Sequence, residues 1–340
     1  MNRLLALADA GQSVWIDFIR RALLDSGELE RLVREDGVAG VTSNPTIFEK
    51  AIGGSADYDA QIRRVLSEEP GIDPHELFER VALDDIRAAC DVLRPVFERT
   101  GGADGFVSFE VPPSLADDTA ATVSQAQRLW RAIDRPNAMI KVPATPAGIP
   151  AIEELIAAGV NVNVTLMFSL DHYERVAQAY IRGLHRRRDL AGAASVASFF
   201  VSRVDSVVDK ALEKIGTPEA LALRGRAAIA NSRLVYRRFR EIFDGEPFAA
   251  LREKGARPQR PLWASTSTKN PAYNDVMYVE SLVGPDTINT MPLSTLDAYR
   301  DHGHPAVRIE DDLELSLGML EELPELGIDL KQVARRLEDQ

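Results

Sequence analysis

The amino-acid sequence predicts an α/β fold, a (β/α)8 TIM barrel, and three observations carry that prediction. Short β-branched runs recur along the chain, separated by longer stretches with helical periodicity. There are eight such runs, the number that closes a parallel sheet into a barrel. The 340 residues are long for an ordinary domain but within the range of one decorated barrel.

In chain order the first four predicted strands are SVWIDFI (13–19), GVAGVTS (37–43), GFVSFEV (105–111) and AMIKVPA (138–144). The second four are VNVNVTLMF (160–168), SVASFFV (195–201), PLWASTS (261–267) and DTINTMP (286–292). Between them LERLVRED, SQAQRLWRAI, IPAIEELIAAG and DHYERVAQAYIRGL repeat apolar residues at three- and four-residue spacing and read as helices. Two connections exceed what a barrel needs. Residues 45–104 and 202–260 are read as helical insertions, and 293–340 as a helical tail. No Ser/Gly linker, charge boundary or internal repeat divides the chain, so residues 1–340 are expected to form a single catalytic domain. The run HRRRDL (185–190) is expected at a helix end, as a solvated face.

Composition narrows the function. Hydrophobic residues make up 45% and charged residues 27%, ordinary for a well-packed globule. The formal net charge of −12 offers no global positive field, which argues against nucleic acid and anionic membrane as partners. The apolar patch in MNRLLALADAGQS is short and broken by Asp9, unlike a signal peptide. No uninterrupted apolar segment reaches the roughly 18 residues of a membrane span. The single cysteine, Cys90, allows no intrachain disulfide and lies in a helical pattern, as a small core residue. A cytoplasmic protein, monomer or homodimer, is expected.

Alternate side chains of a barrel strand point inward, and barrel active sites form at the C-terminal strand ends. On that phase Asp17 lies with Trp15 and Ser13, and Glu110 with Ser108. Asn161, Asn163 and Thr165 share one face, and Ser198 sides with Phe200. Lys141 stands late in an apolar run, just before a Val-Pro turn. An unpaired polar group in a core costs several kcal/mol. So many at the ends of different strands argue for a shared site.

The five histidines all lie outside the predicted strands, which disfavours a histidine metal site or a Ser-His triad. Neither GxGxxG nor GxxxxGK[ST] is present, so dinucleotide and P-loop readings have no support. No metal and no cofactor is expected. What remains is a lysine nucleophile with carboxylate acid/base partners. A desolvated amine condenses with a ketone to an imine, an electron sink that permits cleavage of the adjacent carbon–carbon bond.

At these residues the sequence resembles the transaldolase family, in its longer bacterial form. GVTSNPTIF resembles the strand-two Thr-Asn-Pro motif, and IKVPAT the Schiff-base lysine motif of strand four. NVNVTLMFS is similar to the strand-five Asn/Thr motif and SFFVSRVD to the strand-six Ser/Phe/Arg motif. The resemblance runs from about residue 10 to residue 303. It implies a pentose phosphate pathway transferase that moves a dihydroxyacetone unit from a ketose phosphate to an aldose phosphate, with sugar phosphates as its partners.

Carried over by position, the resemblance makes Lys141 the imine-forming residue and Asp17 the acid/base on the donor's C4 hydroxyl. Glu110 and Thr165 would hold a proton-shuttling water. Asn44, Asn163 and Ser198 would hydrogen-bond the dihydroxyacetone unit, with Thr42 and Phe200 beside them. Arg203 would bind phosphate. The family's strand seven commonly ends Ala-Ser-X-Arg, whereas this chain continues Ala264, Ser265, Thr266, Ser267, Thr268, Lys269. The expected second phosphate contacts are therefore Ser265 and a displaced Lys269. Two other functions stay open. A fructose 6-phosphate aldolase of the same superfamily would be shorter, with Gln in place of Glu110 and Tyr in place of Phe200. A non-catalytic sugar-phosphate-binding barrel would have no use for Lys141, Asp17 and Glu110 together.

Overall fold

The β-branched runs are the strands of the molecule. The structure, a computed structural model, describes residues 2–338. Its strands are β1 (Gln12–Ile16), β2 (Val38–Thr42), β3 (Phe106–Glu110) and β4 (Ala138–Pro143), then β5 (Val162–Met167), β6 (Ser195–Phe200), β7 (Arg260–Ala264) and β8 (Thr287–Met291). They pair in parallel in sequence order, and β8 returns to β1, closing the barrel. Helices occupy the two long connections and the tail where the periodicity placed them. Pro74–Arg99 is the longest of the first insertion, and Ser202–Ile215 and Ala227–Phe243 of the second.

The strands are shorter than the apolar runs because the backbone turns before the run ends. The Asp17 N–H gives the first bond beyond β1, to the Met291 carbonyl at 2.8 Å. β7 stops at Ala264 because Ser265 has φ 56, a left-handed conformation that no strand continues through. Asp286, with φ 58, delays the start of β8 in the same way.

Side chains fill the barrel in tiers. At the N-terminal end Asp104 accepts the Trp15 indole N–H at 2.6 Å and the Ser13 hydroxyl, and pairs with Arg260 at 3.3 Å. Arg260 also donates to Ser13 at 2.7 Å and to the Thr287 carbonyl at 2.8 Å. Above this plug Trp15, Phe106, Met139, Val196, Leu262 and Ile288 form an apolar layer. Gly40 must be glycine here, since a Cβ would lie 2.2 Å from the Trp15 ring. The next inward positions are Asp17, Thr42, Glu110, Lys141, Thr165, Ser198 and Thr290, and they form the mouth. The opposite strand faces, such as Val14, Val41, Val107, Ile140 and Val164, pack on the helices together with the buried Cys90.

One expectation needs correction. HRRRDL does not lie wholly in solvent. Arg186 pairs with Glu153 and Glu154, while Arg187 donates to the carbonyls of Ile156, Asp189 and Gly192 and anchors the turn into β6. Charge runs look solvated in sequence because backbone acceptors leave no sequence trace. Among the described residues no helix is long and apolar enough to cross a membrane.

The plug makes a stability prediction. Asp104→Ala removes the ion-pair partner of the half-buried Arg260 and leaves the buried Trp15 indole N–H without an acceptor, and should lower unfolding stability by about 2–4 kcal/mol. Asp104→Asn, which keeps an acceptor for Trp15, should lose less. Equal urea midpoints for wild type and Asp104→Ala would show that water replaces the carboxylate without cost.

Candidate active site

Strand register builds the site. Glu110 on β3 is level with Lys141 on β4, and Lys141 is level with Asn163 on β5. Side chains at one height on neighbouring strands point the same way, so these three meet inside the barrel. The Lys141 side chain is 7% exposed, and its Nζ lies 3.3 Å from Glu110 Oε2. It also donates to the Ser43 carbonyl at 3.2 Å. The turn that follows is held closed by glycine, since a Cβ on Gly148 would meet the Pro143 carbonyl oxygen at 2.0 Å. Thr145 fixes it further, donating to the Ala116 carbonyl and accepting the Gly148 N–H at 2.9 Å.

Across the mouth, Asp17 is half-buried and accepts the Thr42 hydroxyl at 2.7 Å. Thr42 in turn lies 2.7 Å from the Thr290 hydroxyl. Asn44 caps the helix Pro45–Gly53: its side-chain oxygen accepts the Ile47 N–H at 2.9 Å, with Pro45 in the first turn. Its amide N–H2 stays available on the cavity wall. The TSNP stretch is thus a strand end and a helix start at once, which is why its polar groups face the mouth.

Asn163 is fully buried and is not among the residues that line the cavity, donating to Ser108 Oγ at 2.9 Å and accepting the Ser198 hydroxyl at 2.7 Å. Ser198 itself reaches the cavity. Thr165 is on the wall with its hydroxyl buried and without a protein partner. Leu166 beside it has φ 59 and sits where the β5–β6 register shifts. A bulky residue held there costs of order 1–3 kcal/mol, the kind of strain found where a site re-aims its backbone.

The outer wall carries cations. The Arg203 guanidinium lies 4.8 Å from the centre of the Phe200 ring, in cation–π geometry. Lys269 is exposed and donates to Ser267 Oγ at 2.7 Å. Ser265 faces Ser202, hydroxyl to hydroxyl at 2.9 Å. These residues, Lys50 and the inner groups line one cavity of 520 Å³. Four cations (Lys50, Lys141, Arg203, Lys269) against two carboxylates (Asp17, Glu110) give it a positive field on a chain of formal net charge −12. Arg203, Lys269 and Lys50 form no ion pair among the described residues, so their charge is available to an anion. Among those residues no three His, Cys, Asp or Glu groups could hold a metal ion.

Sequence reasoning missed Lys50, Thr290 and the Ser43 carbonyl. Lys50 ends a short helix and Thr290 is one threonine in a buried strand. A backbone carbonyl has no sequence signal at all.

The floor supplies a test. Asn163→Leu leaves the Ser108 and Ser198 hydroxyls without their partner, at a cost of about 1–3 kcal/mol for each group stranded. Thermal denaturation should show the loss, and an unchanged Tm would mean that the two hydroxyls re-pair.

The comparisons agree with this geometry. The profile of the Transaldolase/Fructose-6-phosphate aldolase family matches residues 14–340. Among curated proteins, a transaldolase of Thiobacillus denitrificans is 49% identical over 343 residues, covering 100% of this chain and 95% of its own length. One from Parafrankia is 50% identical, covering 98% and 91%. Transaldolase 1 of Streptomyces coelicolor is 54% identical, covering 87% and 78%. A closed barrel with a buried lysine–glutamate pair at its mouth, matched over nearly its whole length, places this chain in the transaldolase/fructose-6-phosphate aldolase family.

Proposed function

We propose that this cavity performs the transaldolase reaction, passing a dihydroxyacetone unit between sugar phosphates through an imine on Lys141. The observation that carries the proposal is the buried Lys141 amine beside Glu110, facing the same cavity as Asp17. The chain is a transferase, as the family's curated members named above are, and the rest is the chemistry its own residues supply.

The uncharged amine of Lys141 adds to the C2 carbonyl of the donor ketose phosphate, and loss of water leaves an iminium. Glu110, 3.3 Å from the amine, and the unpartnered Thr165 hydroxyl hold the water that carries protons in this step. Asp17 then takes the proton of the C4 hydroxyl. The C3–C4 bond breaks, its electron pair flows into the iminium, and an enamine remains on Lys141 while an aldose phosphate departs. An incoming aldose phosphate reverses the step: the enamine carbon attacks its aldehyde, and Asp17 returns the proton to the new hydroxyl. Water at the iminium releases the product and the amine. Thr42 orients Asp17, and Asn44 and Ser198 hold the three-carbon unit, with Asn163 acting through Ser198.

Glu110 and Phe200 support transfer over simple release. A tyrosine in place of Phe200 would bring a proton donor to the iminium and help water hydrolyse it. Phe200 packs on Phe168 at 5.5 Å and under Arg203, and its ring carries no hydroxyl to donate.

Lys141→Arg keeps the charge but cannot form the imine. Transfer from fructose 6-phosphate to erythrose 4-phosphate should fall by about 10⁴-fold or more in a coupled assay. Transfer within tenfold of wild type would refute the assignment.

Phosphate binding falls to Arg203, Ser265 and Lys269. Lys269→Ala should raise KM for both substrates and lower kcat/KM about 10- to 150-fold, with the smaller part in kcat. Arg203→Ala should cost at least as much, since its fork makes two bonds. Unchanged KM in Lys269→Ala would leave phosphate to Arg203 and Ser265.

A further inference from the structure

Two buried carboxylates outside the cavity have no part in the chemistry above. Asp205 and Asp209 lie four residues apart on one face of the helix Ser202–Ile215, the helix whose second residue is Arg203. They are 1% and 7% exposed. No cation pairs with either among the described residues. Each accepts instead backbone N–H and a tyrosine hydroxyl. Asp205 takes the Ala228 N–H at 2.8 Å and Tyr278 Oη at 2.8 Å. Asp209 takes the Gly225 N–H at 2.9 Å and Tyr273 Oη at 2.6 Å.

Both tyrosines belong to the segment that leaves β7. Its near end is tied to the same helix, because the Ser202 N–H donates to the Ser265 carbonyl at 3.0 Å and the two hydroxyls meet at 2.9 Å. Tyr273 ties the far end, and the stretch between the two ties carries Ser267 and Lys269. Fit at Tyr273 is tight. Gly225 has φ 71, and a Cβ there would come within 2.9 Å of the tyrosine ring. Two buried carboxyl groups satisfied only by neutral donors are expensive to keep, as burial shows at Asp205 by pushing its pKa up to about 7, and apolar residues would fill the space more cheaply. What they provide is direction: a tyrosine hydroxyl held on a carboxylate fixes where its loop sits.

We infer that the Asp209–Tyr273 pair is a positioning latch for phosphate recognition, holding Lys269 on the same frame as Arg203 so that both cations meet one phosphate. The inference rests on the imine reading of the site, and it makes Asp209 and Tyr273 specificity residues that never touch substrate. Releasing the latch frees the Lys269 loop. It leaves Lys141 and Glu110 on their strands and Asp17 just beyond the end of β1.

The test uses a substrate pair that differs in the phosphate. Borohydride trapping on Lys141 is titrated with fructose 6-phosphate and with dihydroxyacetone, which forms the imine without a phosphate. In Tyr273→Phe the half-saturating fructose 6-phosphate should rise about threefold to tenfold, the worth of one lost hydrogen bond, while that of dihydroxyacetone stays put. Asp209→Asn should behave alike. In a Lys269→Ala background Tyr273→Phe should add nothing further, because both changes act through the same cation. A half-saturation unchanged for both probes, or raised equally for both, would overturn the latch while leaving the imine reading intact. A wild type trapped by neither compound would overturn both.

Discussion

The pairing of Lys141 with Glu110 is the interaction on which the rest of the site depends. It exists because β3 and β4 meet with Glu110 level with Lys141, a register fixed by a barrel that closes on itself. A slip of either strand by one residue would turn its own side chain into the helical layer. Within the barrel the amine touches a carboxylate and a carbonyl, so it is paired, reachable from the cavity and shielded from bulk water at once. A surface lysine has only the second of these properties.

That placement constrains what lies beneath and around it. Polar groups at the mouth need a dry and rigid support. The apolar tier from Trp15 to Ile288 provides it, with the Asp104–Arg260 plug closing the far end. Above that tier, Asn163 joins Ser108 to Ser198, so the floor is a hydrogen-bonded sheet and not a set of separate hydroxyls. At the upper rim the backbone is strained at Leu166 and Ser265, where the chain turns to present groups to the cavity. The surrounding fold determines those turns; local propensity does not.

Much of this was legible from residues alone. Eight β-branched runs in alternation with amphipathic stretches specify the barrel, and polar residues on a constant phase mark its mouth. Strand ends were not legible, because Asp17, Ser265 and Asp286 depart from the strand through backbone geometry and not through composition. The family resemblance makes Asn163 a substrate contact, on the phase of Thr165, but sequence does not show that it is fully buried and bonded to Ser108 and Ser198. Nothing in four-residue helical spacing distinguishes Asp205 and Asp209 from solvent-facing acids. Their burial depends on a loop far along the chain that delivers two tyrosines to them.

On the proposed function, chemistry sits at the strand ends, and phosphate recognition on the helix that follows β6 and the loop that follows β7. Such a division would keep the imine in a rigid tier and the phosphate cations together at the rim. The claim beneath all of it is that Lys141, alone among the lysines, carries the three-carbon unit. Peptide mapping by mass spectrometry, after borohydride reduction of the wild-type protein with fructose 6-phosphate, tests that claim most directly. The account predicts a reduced dihydroxyacetone unit on the peptide containing Lys141 and on no other. A label on Lys50 or Lys269, or an unmodified Lys141 in protein that is turning substrate over, would contradict it.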